Sequence, residues 1–182
     1  ILLHTGKFKD VEKSGVGRAI VHQKKALDLM HIPYTTDPNS EFDIAHINTI
    51  FPESLMLAKK CKQMGKKVIF HAHSTEEDFR NSFKLSNGVS PLFRQWLKLC
   101  YGSADLLITP TEYSKRVLEK YDLGKEIIPI SNGIDLDFFK MDKDSRKRFR
   151  EKYGFSEDDK VIMAVGLYIE RKGILEFLEL AR

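Results

Sequence analysis

The sequence alternates short apolar runs with longer segments of helical spacing, and this alternation constrains the fold more than any other feature. The runs are rich in Ile, Leu, Val and Phe; they lie at 1–3, 42–47, 67–70, 105–109, 126–130 and 161–165. A strand with one face in water would alternate polar and apolar residues. Largely continuous runs instead favour strands that are buried on both faces of a parallel sheet.

Between these runs, apolar residues recur at helical spacing in segments at 18–30, 53–64, 91–101, 112–121, 145–153 and 174–182. Parallel strands need long crossover connections, which are usually helices and almost always right-handed. The order therefore predicts an α/β fold with an open, doubly wound parallel sheet. Ligands of such sheets bind at the carboxyl ends of the strands.

The pattern restarts towards the end of the chain. Gly154 and the polar stretch 156–159 are typical of a helix end and a loop, and a new strand and helix are predicted after them. We therefore expect one domain at 1–155 and the first strand and helix of a second domain at 156–182. Because the sequence starts at Ile1 rather than Met and stops inside a predicted helix, we expect a longer protein.

Composition excludes several classes of protein. Of the 182 residues, 42% are hydrophobic and 31% are charged, which excludes a disordered chain and a protein with several membrane spans. The 30 basic and 26 acidic residues give a net charge of +4, too small for a dedicated nucleic-acid binder. Cys61 and Cys100 are far apart and lack metal-ligand spacing, which fits a reducing cytosol.

Two glycine motifs follow predicted strands. Gly15 and Gly17 open a predicted helix after Ser14, and small residues there let backbone N–H groups approach a bound anion. The full spacing of a dinucleotide fingerprint is missing, so a plain tight turn is the alternative. Asn132 and Gly133 directly follow a strand and are a strong turn signal, because both accept a positive φ.

Two histidines, His71 and His73, lie at the end of another predicted strand. Strand periodicity puts them on one face, where they could bind a metal with His46 as a third ligand. Alternatively, one is a core residue and the other lies at the lip of a cleft. In a third interpretation His73 exchanges hydrogen bonds with a substrate hydroxyl.

A pair of cations, Arg171 and Lys172, stands just before the last predicted helix. The pair suits a diphosphate, because Arg can hold two oxygens, Lys supplies a point charge and the helix start is electropositive. Solvated cations in a loop are the alternative.

In their order and spacing, these motifs resemble glycosyltransferase family 4. The runs at 14–20, 46–49 and 71–83 are similar to bacterial enzymes that add a hexose to a diacylglycerol glycolipid. The resemblance implies a GT-B architecture, in which two Rossmann-like domains face each other across a cleft. The domain at 1–155 would be on the acceptor side, and 156–182 would begin the donor domain.

The resemblance also implies a reaction and a role for each matching residue. Members transfer a hexose from a nucleotide sugar with retention at the anomeric carbon, and they need no metal or other cofactor. His73 matches the strand-end histidine that contacts the transferred sugar. The other matches are Gly15 and Gly17 beside the donor phosphates, Arg171 and Lys172 on the diphosphate leaving group, and Asn132 and Gly133 lining the cleft.

The implied partners are a nucleotide sugar, UDP-glucose or UDP-galactose, and a glycolipid acceptor. The protein would be cytoplasmic and attached to the inner face of the plasma membrane, and we expect this stretch alone to be inactive.

Two segments could contact an anionic bilayer. The lysine run 59–67 has no acidic residue, and the apolar stripe of 91–101 comprises Leu92, Phe93, Trp96, Leu97 and Cys100. A solvated helix face and a core-facing stripe are the alternatives.

Two other functions remain open on the residues alone. One is a metal-dependent hydrolase that uses His71 and His73. The other is a non-catalytic α/β module that binds an anion or a membrane.

Overall fold

A computed structural model describes residues 1–166 and 168–180, with the exception of the Arg171 side chain. The chain forms two compact units, Ile1–Gly133 and Ile134–Arg182. The expected domain boundary between residues 155 and 156 stays a prediction.

The first unit is built on a parallel sheet with five strands. They are β1 (Leu2–His4), β2 (Ile44–Ile47), β3 (Lys67–His71), β4 (Leu106–Thr109) and β5 (Ile127–Pro129), which pair in the order β1-β2-β3-β4-β5. All four pairings are parallel, and helices connect the strands. The predicted α/β class and the Rossmann-like sheet are confirmed.

The chain reverses its direction across the sheet next to β1. Thr35 pairs with the outer edge of β1: Leu3 N donates to Thr35 O at 2.8 Å, and Thr35 N donates to Ile1 O at 2.9 Å. The chain then continues into β2 on the other side of β1. This reversal makes the gap between β1 and β2 the topological switch point, where doubly wound sheets bind ligands.

The helices of the first unit are α1 (Phe8–Val11), α2 (Gly15–Leu29), α3 (Pro52–Gln63), α4 (Glu76–Phe79), α5 (Ser86–Gly102) and α6 (Glu112–Glu119). In the second unit, α7 spans Lys143–Tyr153, a 3-10 turn spans Glu170–Lys172, and α8 spans Ile174–Glu179. The predicted helices are therefore present, and their ends differ from prediction by a few residues.

The largest difference is at α5, which begins at Ser86, five residues before the predicted start. Proline lacks an amide proton and usually stands in a first helical turn, where no helical hydrogen bond is lost. Inside α5 that missing donor would leave Asn87 O without its helical partner. The helix nevertheless continues through the proline, and the Ser90 hydroxyl oxygen lies 3.2 Å from Asn87 O.

The strand predicted at 161–165 is wrong for the described structure. Residues 161–165 have no regular secondary structure, and Val161, Ile162, Met163 and Val165 are exposed. A strand is stabilised by its pairing with a neighbour. All the strands among the described residues belong to the first unit, so the apolar run has no partner within its own unit.

The core of the first unit lies on one face of the sheet. Alternation along the strands directs Ala45, Val68, Phe70 and Leu107 towards α3, α5 and α6. Tyr101 of α5 is fully buried in this core. The same alternation directs His46 and His71 to the opposite face, and Gln23 of α2 contacts His71 there. Polar side chains thus replace apolar ones where α2 meets the carboxyl ends of β2 and β3.

Candidate active site

A connected group of amide and imidazole side chains lies at the carboxyl ends of β2 and β3. Gln23 Nε2 donates to Asn48 Oδ1 at 2.8 Å and lies 2.8 Å from His71 Nδ1. Asn48 Oδ1 is also 3.2 Å from His73 Nε2. One hydrogen-bonded chain therefore joins α2, the end of β2 and the end of β3, next to the switch point.

The three histidines of this group form a stack. The rings of His46 and His71 are 5.5 Å apart with planes 10° from parallel, and those of His71 and His73 are 4.1 Å apart with planes 12° from parallel. Side chains at alternate positions of a strand face the same way, which explains why His71 and His73 stack as the periodicity predicted. We name the group formed by Gln23, His46, Asn48, His71 and His73 the histidine cluster.

The histidine cluster is uncharged at neutral pH. Burial lowers the pKa of His46 and of His73 to about 4, and the nearness of the His46 ring contributes at His73. Burial lowers the pKa of His71 further, to about 2, with contributions from both neighbouring rings. A charged ring here would be desolvated and repelled by any second charged ring in the stack.

Several polar atoms of the histidine cluster are buried without a hydrogen-bond partner among the described residues. They are Gln23 Oε1, His46 Nε2, Asn48 Nδ2 and His71 Nε2. Native proteins leave few such atoms unpaired, because each costs roughly 1–3 kcal/mol. Their concentration at one strand edge marks a candidate binding site for a ligand rich in hydroxyl groups.

The stack gives no support to a metal site. The lone pairs of an imidazole lie in the plane of its ring, so parallel stacked rings do not point at one common ion. Two ring nitrogens, His71 Nδ1 and His73 Nε2, already face amide groups. The described part of the chain contains no group of three or more His, Cys, Asp or Glu side chains that could hold a metal ion.

Gly15 and Gly17 lie in the first turn of α2, and their surroundings differ. A Cβ on Gly15 would meet no atom within 4 Å, whereas a Cβ on Gly17 would lie 2.3 Å from Val11 O. Ser14 caps the helix by accepting from Gly17 N at 3.4 Å. Gly17 is thus required for the close approach of α1 and α2, and the expected role of both glycines beside the donor phosphates stays a prediction.

Asn132 and Gly133 form a turn that contacts α2. Gly133 has a φ of +77°, as the Asn-Gly signal predicted, and its carbonyl oxygen lies 2.9 Å from His22 Nδ1. Asn132 Oδ1 is a further buried oxygen without a partner in the described residues. The turn therefore meets α2 one residue before Gln23, and its cleft-lining role stays a prediction.

Arg171 and Lys172 belong to the second unit, in the 3-10 turn Glu170–Lys172. The Arg171 side chain lies outside the described structure, and Lys172 is exposed. Gly173 follows in the left-handed region with a φ of +64°, and α8 begins at the next residue. The predicted loop and helix start are present, and the diphosphate role of the pair stays a prediction.

Three acidic residues, Glu76, Glu77 and Asp78, follow His73 in α4, and Glu76 has a structural role. Glu76 is buried at the start of α4 and accepts from Arg80 at 2.7 Å and from Ser90 at 2.9 Å, while Arg94 is 3.5 Å away. Burial alone would raise the pKa of Glu76, but these hydrogen bonds and charges outweigh it and lower the pKa. The carboxylate thus fastens α4 to α5.

Sequence reasoning did not identify Gln23 as a member of the site. Asn48 follows β2 directly, so its position at a strand end was a usable signal. Gln23 lies two turns inside α2 with no motif around it, and only the packing of α2 on the sheet brings it to His71.

Comparisons with known proteins agree on one family. The sequence model described as Glycosyltransferase Family 4 matches residues 25–138. The chain is 42% identical over 185 aligned residues to a processive diacylglycerol alpha-glucosyltransferase of Acholeplasma laidlawii. That alignment covers all of this chain and 54% of the relative, so the chain spans about half the relative's length. No solved structure matches.

Proposed function

The chain belongs to glycosyltransferase family 4, and from this premise we propose that the protein transfers a hexose from a nucleotide sugar to a diacylglycerol glycolipid. The family match covers most of the chain, and the relative from Acholeplasma laidlawii is named for glucosyl transfer to diacylglycerol.

The observation that carries the proposal is the uncharged histidine cluster at the switch-point edge of the sheet. A hexose presents hydroxyl groups that both donate and accept hydrogen bonds, and it carries no charge. The cluster offers neutral donors and acceptors, because burial lowers the pKa of His46, His71 and His73 well below neutrality. His73 is partly buried and lies just beyond the carboxyl end of β3, and we propose that it is the ring that contacts the transferred sugar.

The proposed reaction leaves charge on the diphosphate of the departing nucleotide. Stabilising such a developing charge is usually the largest contribution to catalysis, and two cations before a helix suit it. We assign this role to Arg171 and Lys172. Gly15 and Gly17, in the first turn of α2, would lie beside the donor phosphates, and Asn132 and Gly133 would line the cleft.

We propose glucose as the hexose and UDP-glucose as the donor, with UDP-galactose as the alternative. The relative is an alpha-glucosyltransferase. Glucose is α-linked to the diphosphate in such donors, so an α-linked product requires retention at the anomeric carbon. No metal is assigned to the reaction.

The acceptor requires access to a bilayer, and we propose peripheral attachment to the inner face of the membrane. Among the described residues no helix is long and apolar enough to cross a membrane. The stripe expected at 91–101 faces mostly inward: Leu97 and Cys100 are buried, and Trp96 Nε1 donates to Ile50 O at 2.8 Å. Only Leu92 of that stripe is largely exposed, at 74%.

A different face of α5 is exposed and apolar. Leu85 at its N-cap is 79% exposed, and Val89, Leu92 and Leu99 are exposed at helical spacing along the same side. The exposed lysines of the run 59–67 lie on and after α3, which packs on the same face of the sheet as α5. We propose that this face of α5 enters the bilayer surface while the lysines contact anionic headgroups.

A product assay tests the proposed reaction. Full-length protein is incubated with UDP-glucose or UDP-galactose and a panel of diacylglycerol glycolipids, and products are identified by mass spectrometry and by NMR of the new linkage. We expect an α-linked glucosyl product. We also expect Arg171→Ala to lower turnover about a hundredfold, while Arg148→Ala, at an exposed arginine of α7, leaves it unchanged. A β-linked product, or no product with any acceptor, would contradict the proposal.

A further inference from the structure

Gln23 has two hydrogen-bonding contacts that the proposed activity leaves without a role. Its side-chain nitrogen lies 2.8 Å from Asn48 Oδ1 and 2.8 Å from His71 Nδ1. An amide nitrogen has two protons and no lone pair to offer, so both contacts are donations by Gln23. His71 Nδ1 therefore accepts, and the proton of the neutral His71 ring is on Nε2.

The orientation of the Asn48 amide determines which nitrogen of His73 carries the proton. Its Oδ1 accepts from Gln23 and also lies 3.2 Å from His73 Nε2. An amide oxygen can only accept, so His73 Nε2 must donate and must carry the proton of the neutral ring. The other nitrogen, Nδ1, is then an acceptor, and because His73 is only partly buried a bound hydroxyl can reach it.

Stacking on His71 restrains the orientation of the His73 ring. His71 lies against one face of it at 4.1 Å, which restrains rotation of the ring out of its plane. Burial keeps both rings neutral at pH 7, so the direction of the Asn48 hydrogen bond decides between the two neutral tautomers.

We infer that Gln23 and Asn48 are positioning residues for His73, which hold its proton on Nε2 and keep Nδ1 as the acceptor for a substrate hydroxyl. The identity of that hydroxyl as one of a hexose rests on the proposed function. The tautomer itself does not, because it follows from hydrogen bonds within the chain.

Gln23→Glu is the sharpest change, because it keeps the size of the side chain and removes both donors. A carboxylate at position 23 would repel Asn48 Oδ1, so we expect the Asn48 amide to turn and present its nitrogen. That nitrogen would donate to position 23 and to His73 Nε2, and the proton of His73 would move to Nδ1. The variant therefore predicts a reversal of tautomer without a change of fold.

The tautomer is read by long-range nitrogen–proton NMR correlations of full-length protein labelled with nitrogen-15 in histidine, at pH 7. We expect the proton of His73 on Nε2 in the wild type, on Nδ1 in Gln23→Glu, and distributed over both nitrogens in the uncharged variant Gln23→Met. Asn39→Asp makes a matched change from amide to carboxylate in an exposed turn, and it should leave His73 as in the wild type.

Activity provides a second readout. We expect Gln23→Glu to lower turnover roughly 10- to 100-fold, with unchanged KM for the acceptor, and Asn39→Asp to have no effect. A proton on Nδ1 of His73 in the wild type, or the wild-type tautomer in Gln23→Glu, would overturn the inference. Wild-type turnover in Gln23→Glu would overturn the positioning role. A wild-type enzyme that transfers no hexose would contradict the proposed function and leave the NMR result intact.

Discussion

Gly17 has a structural role that the glycine motif did not predict. The Gly15-Val16-Gly17 pattern suggested backbone that must come close to a bound anion. In the structure, the space in which a Gly17 side chain would lie is occupied by the backbone carbonyl oxygens of Val11 and Glu12. A glycine is therefore required at position 17 because the backbone at Val11 and Glu12 lies against it.

This difference between the two glycines predicts a difference in stability. A Cβ at Gly17 would lie 2.3 Å from Val11 O, which rigid backbone cannot relieve without moving α1, so we expect Gly17→Ala to lower the free energy of unfolding by roughly 1–3 kcal/mol. Gly15→Ala is the matched control. Its Cβ meets nothing within 4 Å, so it should be neutral or slightly stabilising. Urea unfolding measures both, and equal stability of the two variants would contradict the packing argument.

At the residue scale, the predictable part of the site was the part set by strand ends. His71 is the last residue of β3, His73 and Asn48 lie just beyond β3 and β2, and a parallel sheet brings such strand ends to one edge. Gln23 could not be predicted in this way, because its contact with His71 depends on how far along α2 the helix meets the sheet. The unpaired atoms of the cluster are likewise a property of packing.

At the scale of elements, α5 combines two apolar sides. The predicted stripe was right in identifying an amphipathic helix, and the alternative that it faces the core holds for Leu97 and Cys100. The second side comprises Leu85, Val89, Leu92 and Leu99, of which only Leu92 belonged to the predicted stripe. Leu85 and Val89 precede Pro91, where the helix was expected to start. Starting at Ser86 adds a turn that carries Val89, with Leu85 at the cap.

The exposed side of α5 predicts membrane binding that has both an apolar and an electrostatic part. We expect full-length protein to sediment with anionic liposomes, and we expect Leu85→Ser with Leu92→Ser to lower the bound fraction at all salt concentrations. Lys59→Glu with Lys60→Glu should weaken binding mainly at low salt, because exposed charges are screened within about 8 Å at physiological ionic strength.

Leu29→Ser, at an exposed leucine of α2, is the control for lost apolar surface. It should bind liposomes as the wild type does. Binding that is insensitive to salt and to all four substitutions in α3 and α5 would contradict this surface.

The run at 161–165 shows the limit of periodicity as a signal. Its composition is that of a buried strand, yet it is exposed, and the described residues of its own unit contain no strand that pairs with it. Apolar spacing reports which residues tend to be buried, whereas a strand also requires a neighbour to complete its hydrogen bonds. The five strands that do form have such neighbours in the first unit.

At the scale of the whole molecule, the order of the strands determines where the histidine cluster lies. The reversal next to β1 directs the chain to opposite sides of the sheet, and the resulting switch point lies between β1 and β2, next to Asn48 at the end of β2. The alternation of strand and helix in the sequence was sufficient to predict a doubly wound sheet. The order of its strands, and hence the location of the switch point, required the structure.

The central claim is that the protein transfers a hexose at a site containing His73, and the most direct measurement is the rate of hexose transfer from UDP-glucose to a diacylglycerol glycolipid by full-length protein. We expect His73→Asn to lower that rate roughly a hundredfold. His31→Asn is the matched control, since His31 is exposed and has a φ of 53°, which asparagine tolerates. It should keep the wild-type rate, and an unchanged rate in His73→Asn would contradict the account.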